Sequence, residues 1–401
     1  MISKYGCLFI SGLFSLSSFT SFAQRKTGKA DFILLDRQIL VHYKALYQKK
    51  DTTITGQVNE LVAKADSLLT KGSYSVTFNK TKLAPSHNIH DYVSQAPYWW
   101  PDSSKADGKP YIRKDGRRNP EIYLLHDDSQ MGKLCSSVKE LTLAWYFTGD
   151  EKYAQKARKL LKVWFIDPAT RMNPNLDYAQ YIPGICNGRG IGIIETAALT
   201  TIPDMLVILQ SGKYNDAGLV SGIKKWYSQY LNWLQTSENG RSEHSQINNH
   251  GTYYDLQVVD YAIFTGNKTI AVQTLQHSTF NRIDQQFTVD GAQPLELIRT
   301  KSWSYANMNL WAWCRLAVMA SQLNIDLWHR QTMDGKGIET AVKWMIPYAL
   351  KEKSWRYEQI EPFGYGTLKQ IVHTSSAVYK DPSFSRFLKE YPLNDQLQNI
   401  N

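Results

Sequence analysis

The dominant feature of this sequence is a helical hydrophobic repeat that recurs along almost the whole chain. Apolar residues are spaced three or four positions apart in four stretches, namely residues 134–145, 154–164, 219–233 and 338–349. This spacing places apolar side chains on one buried face of an α-helix. Gly149 and Asp150, between the first two stretches, are typical of a helix end followed by a helix N-cap. The pattern predicts antiparallel helix pairs joined by short turns.

These observations predict an all-α fold, an (α/α) toroid or incomplete barrel of antiparallel helix pairs. Clear strand alternation is scarce, and residues 74–78 are the best candidate for a strand. The repeat has no fixed length, which disfavours a regular solenoid. Two long segments with several prolines, 84–128 and 165–190, interrupt the helices. Because long loops in a compact domain are usually functional, we expect them to build a site at one end of the helix ring.

The first 23 residues have the pattern of a secretory signal peptide. Lys4 precedes an apolar stretch, and Ser21-Phe22-Ala23 is a small-x-small cleavage site. A membrane anchor is the alternative, but the apolar stretch is shorter than the roughly 20 residues that a spanning helix needs. We therefore expect a periplasmic or secreted protein whose mature chain, residues 24–401, is a single toroid domain. We expect no other segment to be apolar enough to span a membrane.

The composition indicates a polyanionic partner. The chain has 46 Lys and Arg against 36 Asp and Glu, a net charge of +10, and 12% of its residues are aromatic. A basic, aromatic-rich protein suits a nucleic acid or an acidic polysaccharide. Export disfavours nucleic acid, so the expected partner is an acidic polysaccharide bound by a monomeric protein.

A polar stretch around Asn248, Asn249 and His250 is the first candidate site. It precedes an amphipathic segment, which places Asn249 and His250 at or beside a helix N-terminus. Amide, imidazole and free backbone N–H groups there can converge on an anion, with Asn248 as a binding residue. The alternative is a simple helix cap with a structural histidine.

The second candidate site is the pair Arg299 and Tyr305. Six positions separate the two residues, so a continuous helix would point their side chains in different directions. A break or a 3₁₀ turn between them would bring both tips to one point. Trp303, which lies between them, is a candidate binding residue. The alternative is a surface arginine and a core tyrosine.

A proline-rich loop supplies the third set of candidates. Trp99 and Trp100 are adjacent, and Arg113 and Arg117 follow in the same segment. Indole rings can stack on sugars, and arginines can pair with carboxylates. The alternative is a loop that its aromatic residues merely anchor.

Two further patterns are only weak indications of a binding site. His87-x-x-His90-Asp91 has too few further ligands to predict a metal site. The glycines of residues 188–192 superficially resemble a nucleotide-binding loop, but no strand is predicted before them. We therefore expect neither a metal nor another cofactor.

Together these motifs resemble the alginate lyase superfamily, whose members are secreted helical-toroid enzymes that cleave uronic-acid polysaccharides by β-elimination. Residues 164–175 are similar to a family signature, residues 248–250 to its Asn-Asn-His motif, and residues 294–310 to its Arg/Tyr motif. Residues 96–102 resemble a branch found in gut and marine bacteria. The resemblance covers roughly residues 85–350. The gap from Arg299 to Tyr305 is one residue shorter than in the better-known alginate lyases, so the substrate need not be alginate.

The resemblance implies roles for four residues. Asn249 and Arg299 would neutralise the uronate carboxylate, because removal of the C5 proton builds negative charge beside it. Tyr305, with its pKa lowered by Arg299, would act as base and then acid on mannuronate, where the C5 hydrogen and the leaving oxygen share a face. On guluronate these groups lie on opposite faces, so His250 would be the base and Tyr305 the acid. This chemistry requires no metal.

The first expectation is thus a lyase that cleaves alginate. One alternative is a lyase for glucuronan or a glycosaminoglycan, which would use the same residues with different loops. Another is a non-catalytic surface glycan-binding protein, which would leave the Asn-His and Arg-Tyr motifs unexplained. A hydrolase would need two carboxylates about 5–10 Å apart, and spacing in the sequence does not indicate such a pair.

Overall fold

The computed structural model describes residues 32–212, 216–393 and 397, and helices dominate this part of the chain. The first eight are α1 (Arg37–Gln48), α2 (Thr52–Leu69), α3 (Asp127–Thr148), α4 (Glu151–Phe165), α5 (Ile202–Gln210), α6 (Ala217–Thr236), α7 (Glu238–His244) and α8 (Asn249–Thr265). The next seven are α9 (Lys268–Gln273), α10 (Phe280–Gln286), α11 (Pro294–Leu297), α12 (Ser302–Gln322), α13 (Ile338–Ala349), α14 (Gly366–Ser376) and α15 (Pro382–Glu390). Two 3₁₀ helices (Pro120–Leu124 and Gly190–Thr201) and a π-helical turn (Thr274–Thr279) lie between them.

The helices pack as a toroid of antiparallel pairs, which confirms the predicted fold class. Helix α3 contacts α2, α4 and α5, and α8 contacts α6, α9 and α12. Helix α12 in turn packs against α13 and α14. The described residues belong to one compact unit, Phe32–Asn401.

The predicted helix faces form the core. Leu134, Leu161, Ile223 and Val342, one from each predicted stretch, are fully buried. Gly149 ends α3 with a φ of 77°, and the Asp150 side chain caps α4 by accepting from the backbone N–H of Lys152, as predicted. The described cysteines are free thiols, namely Cys135, Cys186 and Cys314.

The strands differ from the prediction. Residues 74–78 form no strand; residues 76–79 form a turn, and the Ser75 hydroxyl before it accepts from the backbone N–H of Thr77 and donates to the carbonyl of Thr170. The described residues form four other short strands, namely β1 (Val93–Gln95), β2 (Trp99–Trp100), β3 (Ile112–Arg113) and β4 (Tyr178–Tyr181). Strand β1 pairs with β4 in parallel, and β2 pairs with β3 antiparallel. The β1–β4 pair joins the two long interrupting segments at one place.

Two expectations about membranes and export have different outcomes. The predicted signal peptide, residues 1–23, lies outside the described residues, so export stays a prediction. The expectation that no other segment is apolar enough to span a membrane is wrong for Gly190–Gln210. By length and composition alone, this helical segment is long and apolar enough to cross a membrane. However, 61% of its most apolar window is buried inside the protein, as expected of a core helix, so this is weak evidence for a span.

Candidate functional site

The Asn-Asn-His motif starts helix α8, as predicted. Asn248 is the N-cap, and its Oδ1 accepts a hydrogen bond of 3.2 Å from the backbone N–H of His250. This bond satisfies one of the free donors of the first helical turn. The His250 imidazole keeps 14% of its surface exposed, so it is open to a ligand at this helix end.

Asn249 is held by a buried carboxylate. Its backbone N–H donates to Glu296 Oε1 at 2.7 Å, and its Nδ2 donates to Glu296 Oε2 at 2.6 Å. Both side chains are buried, and burial raises the pKa of Glu296 although the Asn249 hydrogen bonds act in the opposite direction. The Asn249 amide is closed to solvent in this structure. Its predicted contact with a substrate carboxylate therefore requires a neighbouring side chain to move aside.

His250 is oriented by a second buried carboxylate. Its Nδ1 lies 2.7 Å from Oε1 of Glu243, which is fully buried in α7. An ionised carboxylate only accepts hydrogen bonds, so Nδ1 carries the proton and Nε2 of the neutral ring keeps a free lone pair. Glu243 therefore leaves Nε2 as the basic atom of His250.

Arg299 and Tyr305 meet across a helix break, as predicted. Helix α11 ends at Leu297 and α12 begins at Ser302, so Arg299 lies between two helices. Its Nη2 donates to the Tyr305 hydroxyl oxygen at 2.8 Å, and its Cζ lies 3.9 Å from the centre of the phenol ring. A cation is thus fixed on the phenol oxygen.

Two residues of the long loop complete this contact. The Tyr305 hydroxyl donates to the Tyr98 hydroxyl at 2.9 Å. Asp115 accepts from Arg299 Nη2 at 2.8 Å and from the Thr300 hydroxyl at 3.1 Å. Gly116, with a φ of 69°, lies so close to Thr300 that an added Cβ would come within 2.3 Å of its Oγ1. The loop is therefore packed tightly onto the helix break.

The pKa values show which protonation states this site favours. Burial and the Tyr98 hydrogen bond raise the pKa of Tyr305 well above its usual range, against the positive charge of Arg299. The predicted net lowering by Arg299 is wrong, because burial outweighs it. Although partial burial opposes it, Arg299 lowers the pKa of Asp115 to about 2. Tyr305 is therefore a neutral phenol beside an ion pair at neutral pH.

The predicted aromatic loop lies next to the site. Trp99 and Trp100 form β2 and are half-buried, and the Trp100 indole N–H donates to the backbone carbonyl of Arg117 at 2.9 Å. Arg113 lies opposite Trp99 in β3 and pairs with Asp115 at 2.7 Å. The side chains of Arg113 and Arg117 are exposed. Trp100 thus anchors the loop, while Arg113 reaches the site through its ion pair with Asp115.

Trp303 is a correction to the predicted binding set. Its side chain is 1% exposed, its indole N–H donates to the Gly364 carbonyl, and its ring packs against Trp355 and Tyr365. A sugar ring cannot stack on a buried indole. The residue belongs to the core because the first turn of α12 points it inward.

Sequence reasoning missed four polar residues of this site, namely Tyr98, Asp115, Glu243 and Glu296. Tyr98 directly precedes the Trp-Trp pair, and Glu243 precedes His250 by seven residues, so proximity to a motif was an available signal. Asp115 contacts Arg299 from 184 residues away, and no local pattern indicates such a contact.

Comparisons with known proteins identify the family of this chain. The chain matches the family model described as Alginate lyase over residues 75–355. It is similar to the crystal structure of an alginate lyase from Bacteroides ovatus, with 36% sequence identity and a TM-score of 0.88 over 92% of this chain and 98% of that chain. No curated protein matches the chain.

More distant structures share the fold. Alginate lyase A1-III from Sphingomonas species A1 is 16% identical, with a TM-score of 0.55 over 88% of this chain and 91% of that chain. A variant of alginate lyase A1-III complexed with tetrasaccharide is also 16% identical, with a TM-score of 0.54 over 90% of this chain and 89% of that chain. At this identity the likeness shows the fold alone.

Proposed function

The chain belongs to the alginate lyase family and is a polysaccharide lyase, and we propose that it cleaves alginate by β-elimination. Family membership removes the non-catalytic glycan-binding alternative. Alginate is a polymer of mannuronate and guluronate, so it carries one carboxylate on each sugar. A protein with a net charge of +10 attracts such a chain through long-range electrostatics. Export through the predicted signal peptide would deliver the enzyme to an extracellular polysaccharide.

The observation that carries the proposal is the hydrogen bond of 2.8 Å from Arg299 to the Tyr305 hydroxyl. β-Elimination needs a proton donor at the leaving oxygen and a cation near the substrate carboxylate. Arg299 and Tyr305 supply both groups from one helix break. His250 supplies a base from the start of α8, and Glu296 links the two regions because it binds Asn249 and lies three residues before Arg299.

In the proposed reaction, Nε2 of His250 removes the C5 proton of a uronate. The electrons of the broken C–H bond form the C4=C5 double bond, and the bond from C4 to the bridging oxygen breaks. The Tyr305 hydroxyl gives its proton to that oxygen. Arg299 neutralises the carboxylate on which negative charge builds in the transition state, and Asn249 assists once a neighbouring side chain has moved aside.

The raised pKa of Tyr305 supports the acid role over the base role. A neutral phenol can donate a proton at once, whereas a base would first have to lose one. This division of labour suits a C5 hydrogen and a leaving oxygen on opposite faces of the ring, as in guluronate. The scheme with Tyr305 as the only acid and base, suited to mannuronate, requires substrate binding to lower its pKa.

We assign substrate binding outside the reacting sugar to the edge of the loop. Trp99 offers a half-buried ring, and Arg113 and Arg117 are exposed cations beside it. Asn248 holds the start of α8 and has its Oδ1 committed to the backbone, so its contribution is the position of His250.

The test is to mix the purified protein separately with polymannuronate, polyguluronate, glucuronan and hyaluronan and to follow ultraviolet absorbance. β-Elimination produces a conjugated C4=C5 uronate that absorbs, whereas hydrolysis does not. We expect absorbance to rise with the alginate blocks. Polyguluronate in particular should be cleaved. A rise only with glucuronan or hyaluronan would mean that this polymer, and not alginate, is the substrate. The reaction would still be that of a lyase. Activity on polymannuronate alone would contradict the division of labour between His250 and Tyr305.

A further inference from the structure

Arg189 is a cation without a carboxylate partner among the described residues. It lies directly before the 3₁₀ helix Gly190–Thr201, and its Nη2 donates to Oε1 of Gln180 at 2.8 Å. Its Nε is buried and has no hydrogen-bond partner in the described part of the chain. Burial lowers the pKa of Arg189, while the negative charges of Glu195 and Glu243 act in the opposite direction. Arg189 is therefore a half-buried cation that no described carboxylate holds in an ion pair.

The surrounding glycines fix Arg189 in place. A Cβ on Gly188 would come within 2.0 Å of the Asp177 carbonyl oxygen, and one on Gly190 within 2.6 Å of the Asn239 carbonyl oxygen. The backbone N–H of Arg189 donates to the Ala179 carbonyl at 3.1 Å. The glycine motif, which resembles a nucleotide loop only superficially, thus clamps Arg189 between β4 and α7.

The partner of Arg189 is itself held in a costly conformation. Gln180 is buried and has a φ of 51°, in the left-handed region that side chains other than glycine avoid. Its backbone N–H donates to the Ser94 hydroxyl at 2.8 Å. Strain of this kind is costly and concentrates at functional sites. The strained Gln180 directs its side-chain oxygen to Arg189, which gives the guanidinium a defined orientation.

The position of Arg189 connects it to the catalytic groups. Its Cζ lies 6.0 Å from the centre of the Trp99 ring, and Trp99 faces Arg113 across the β2–β3 pair. Gly190 packs against α7 so closely that an added Cβ would lie 2.9 Å from the backbone nitrogen of Glu243. Glu243 orients His250. Arg189 therefore lies between the aromatic edge of the site and the helix that positions the base.

We propose that Arg189 and Trp99 form a binding subsite for the carboxylate and ring of a uronate next to the one held by Arg299. The guanidinium pairs with the carboxylate, and the indole contacts the sugar ring. Nη1 makes no hydrogen bond to a described residue, so it is the available donor. A half-buried guanidinium with no carboxylate in ion-pair contact can gain a charge-assisted hydrogen bond from an anionic ligand. This inference rests on the proposed function.

The test compares Arg189→Ala with Arg171→Ala, which removes the same charge from an exposed arginine. For the polyuronate that the wild-type protein cleaves, we expect Arg189→Ala to raise KM at least tenfold with less than a threefold change in kcat. Arg171→Ala should leave both constants unchanged. Arg189→Lys keeps the charge but loses the planar fork, so it should raise KM by less. A smaller dependence of KM on salt in Arg189→Ala would support a lost ion pair.

Two further outcomes separate the inference from the proposed function. If folded Arg189→Ala and Arg189→Lys both retain the wild-type KM, the subsite is wrong and the lyase proposal stands. If the wild-type protein releases no unsaturated product from any polyuronate, the proposed function fails. Calorimetric binding of the same polymers to wild-type protein and to Arg189→Ala then still tests the subsite, and equal affinities would overturn it. Thermal unfolding of each variant establishes that it is folded.

Discussion

Asp115 and Arg299 form a two-point ion pair across 184 residues of sequence. Nη2 of Arg299 lies 2.8 Å from Oδ1 of Asp115, and Nε lies 3.1 Å from Oδ2. The same Nη2 donates to the Tyr305 hydroxyl, while Nη1 makes no hydrogen bond to a described residue. Asp115 therefore holds one edge of the guanidinium, points Nη2 at Tyr305 and leaves Nη1 for the substrate.

Replacement of Asp115 by alanine should lower kcat/KM about tenfold, which corresponds to about 1.4 kcal/mol of transition-state stabilisation. The reason is that Arg299 loses the carboxylate that orients it. Asp115→Asn is the matched control, because its amide oxygen can still accept from Thr300 and Arg299, and it should lose less. Steady-state kinetics on the preferred polyuronate measures both variants. An increase in kcat/KM for Asp115→Ala would mean that Asp115 competes with the substrate for Arg299.

Tyr305→Phe should reduce kcat by about 10²–10⁴-fold, the usual contribution of a positioned general acid or base. The variant removes one hydroxyl from a half-buried ring, so the melting temperature should change little. Tyr98→Phe is the control, because it removes the acceptor of the Tyr305 hydrogen bond but leaves the proton donor in place. Its kcat should fall much less. Wild-type turnover in Tyr305→Phe would exclude Tyr305 from the chemical step.

Glu243→Gln should lower kcat at least tenfold and leave KM nearly unchanged. The amide can donate a hydrogen bond to Nδ1 through its NH₂ group, so the Nδ1–H tautomer of His250 loses its preference. Nitrogen NMR of His250 distinguishes the two tautomers and reports this change directly, which a purely structural role would not produce. Glu238→Gln, at the exposed start of α7, is the control and should change neither quantity. An unchanged tautomer together with reduced kcat would contradict the orientation role.

The parts of the fold that could be predicted are the local ones. Helical periodicity identifies the α3–α4 pair and its Gly149–Asp150 turn, because capping and a buried face depend only on neighbouring residues. The six-residue spacing of Arg299 and Tyr305 offered a helix break as one interpretation, and the structure has this break. The β1–β4 pair escaped prediction because its strands have three and four residues and lie more than 80 residues apart.

The site was predicted as motifs but not as a network. Asn249, His250, Arg299 and Tyr305 stand out in the sequence, whereas the carboxylates that orient them do not. Asp115 reaches Arg299 only through the folded loop, and its acidic side chain resembles any surface aspartate in the sequence. Trp303 was misassigned because a single aromatic residue at the start of a helix does not reveal which face it occupies.

Arg282→Met should destabilise the protein by about 3–5 kcal/mol, because it leaves the buried Asp255 carboxylate without its partner. Arg282 also donates to the carbonyls of His244 at 2.7 Å and Gln246 at 2.5 Å, so it holds the turn before the Asn-Asn-His motif. Urea unfolding measures the loss. The double variant with Asp255→Leu should recover part of it, since a buried ion pair can be replaced by apolar groups. Equal destabilisation of the single and double variants would show that the turn contacts, and not the ion pair, dominate.

Glu195 should make the stability of the protein depend on pH. Burial and the negative charge of Asp128 raise its pKa to about 7, against hydrogen bonds from Ser94 and Tyr92. The folded protein then binds this proton more tightly than the unfolded chain does. Its contribution to stability is therefore fully present below the unfolded pKa of about 4.5 and is lost as the pH rises to about 7.

Glu195→Gln removes this titration and keeps an oxygen that accepts from Ser94 and Tyr92. The variant should gain stability relative to wild type between about pH 5 and about pH 8, as measured by urea unfolding at both values. Glu121→Gln is the control, because hydrogen bonds from Gln95 and Tyr111 lower the pKa of Glu121 despite its partial burial. Its titration lies at lower pH, so its effect should be nearly the same at both values. A Glu195→Gln effect that also stays constant would show that Glu195 ionises in the folded protein as readily as in the unfolded chain.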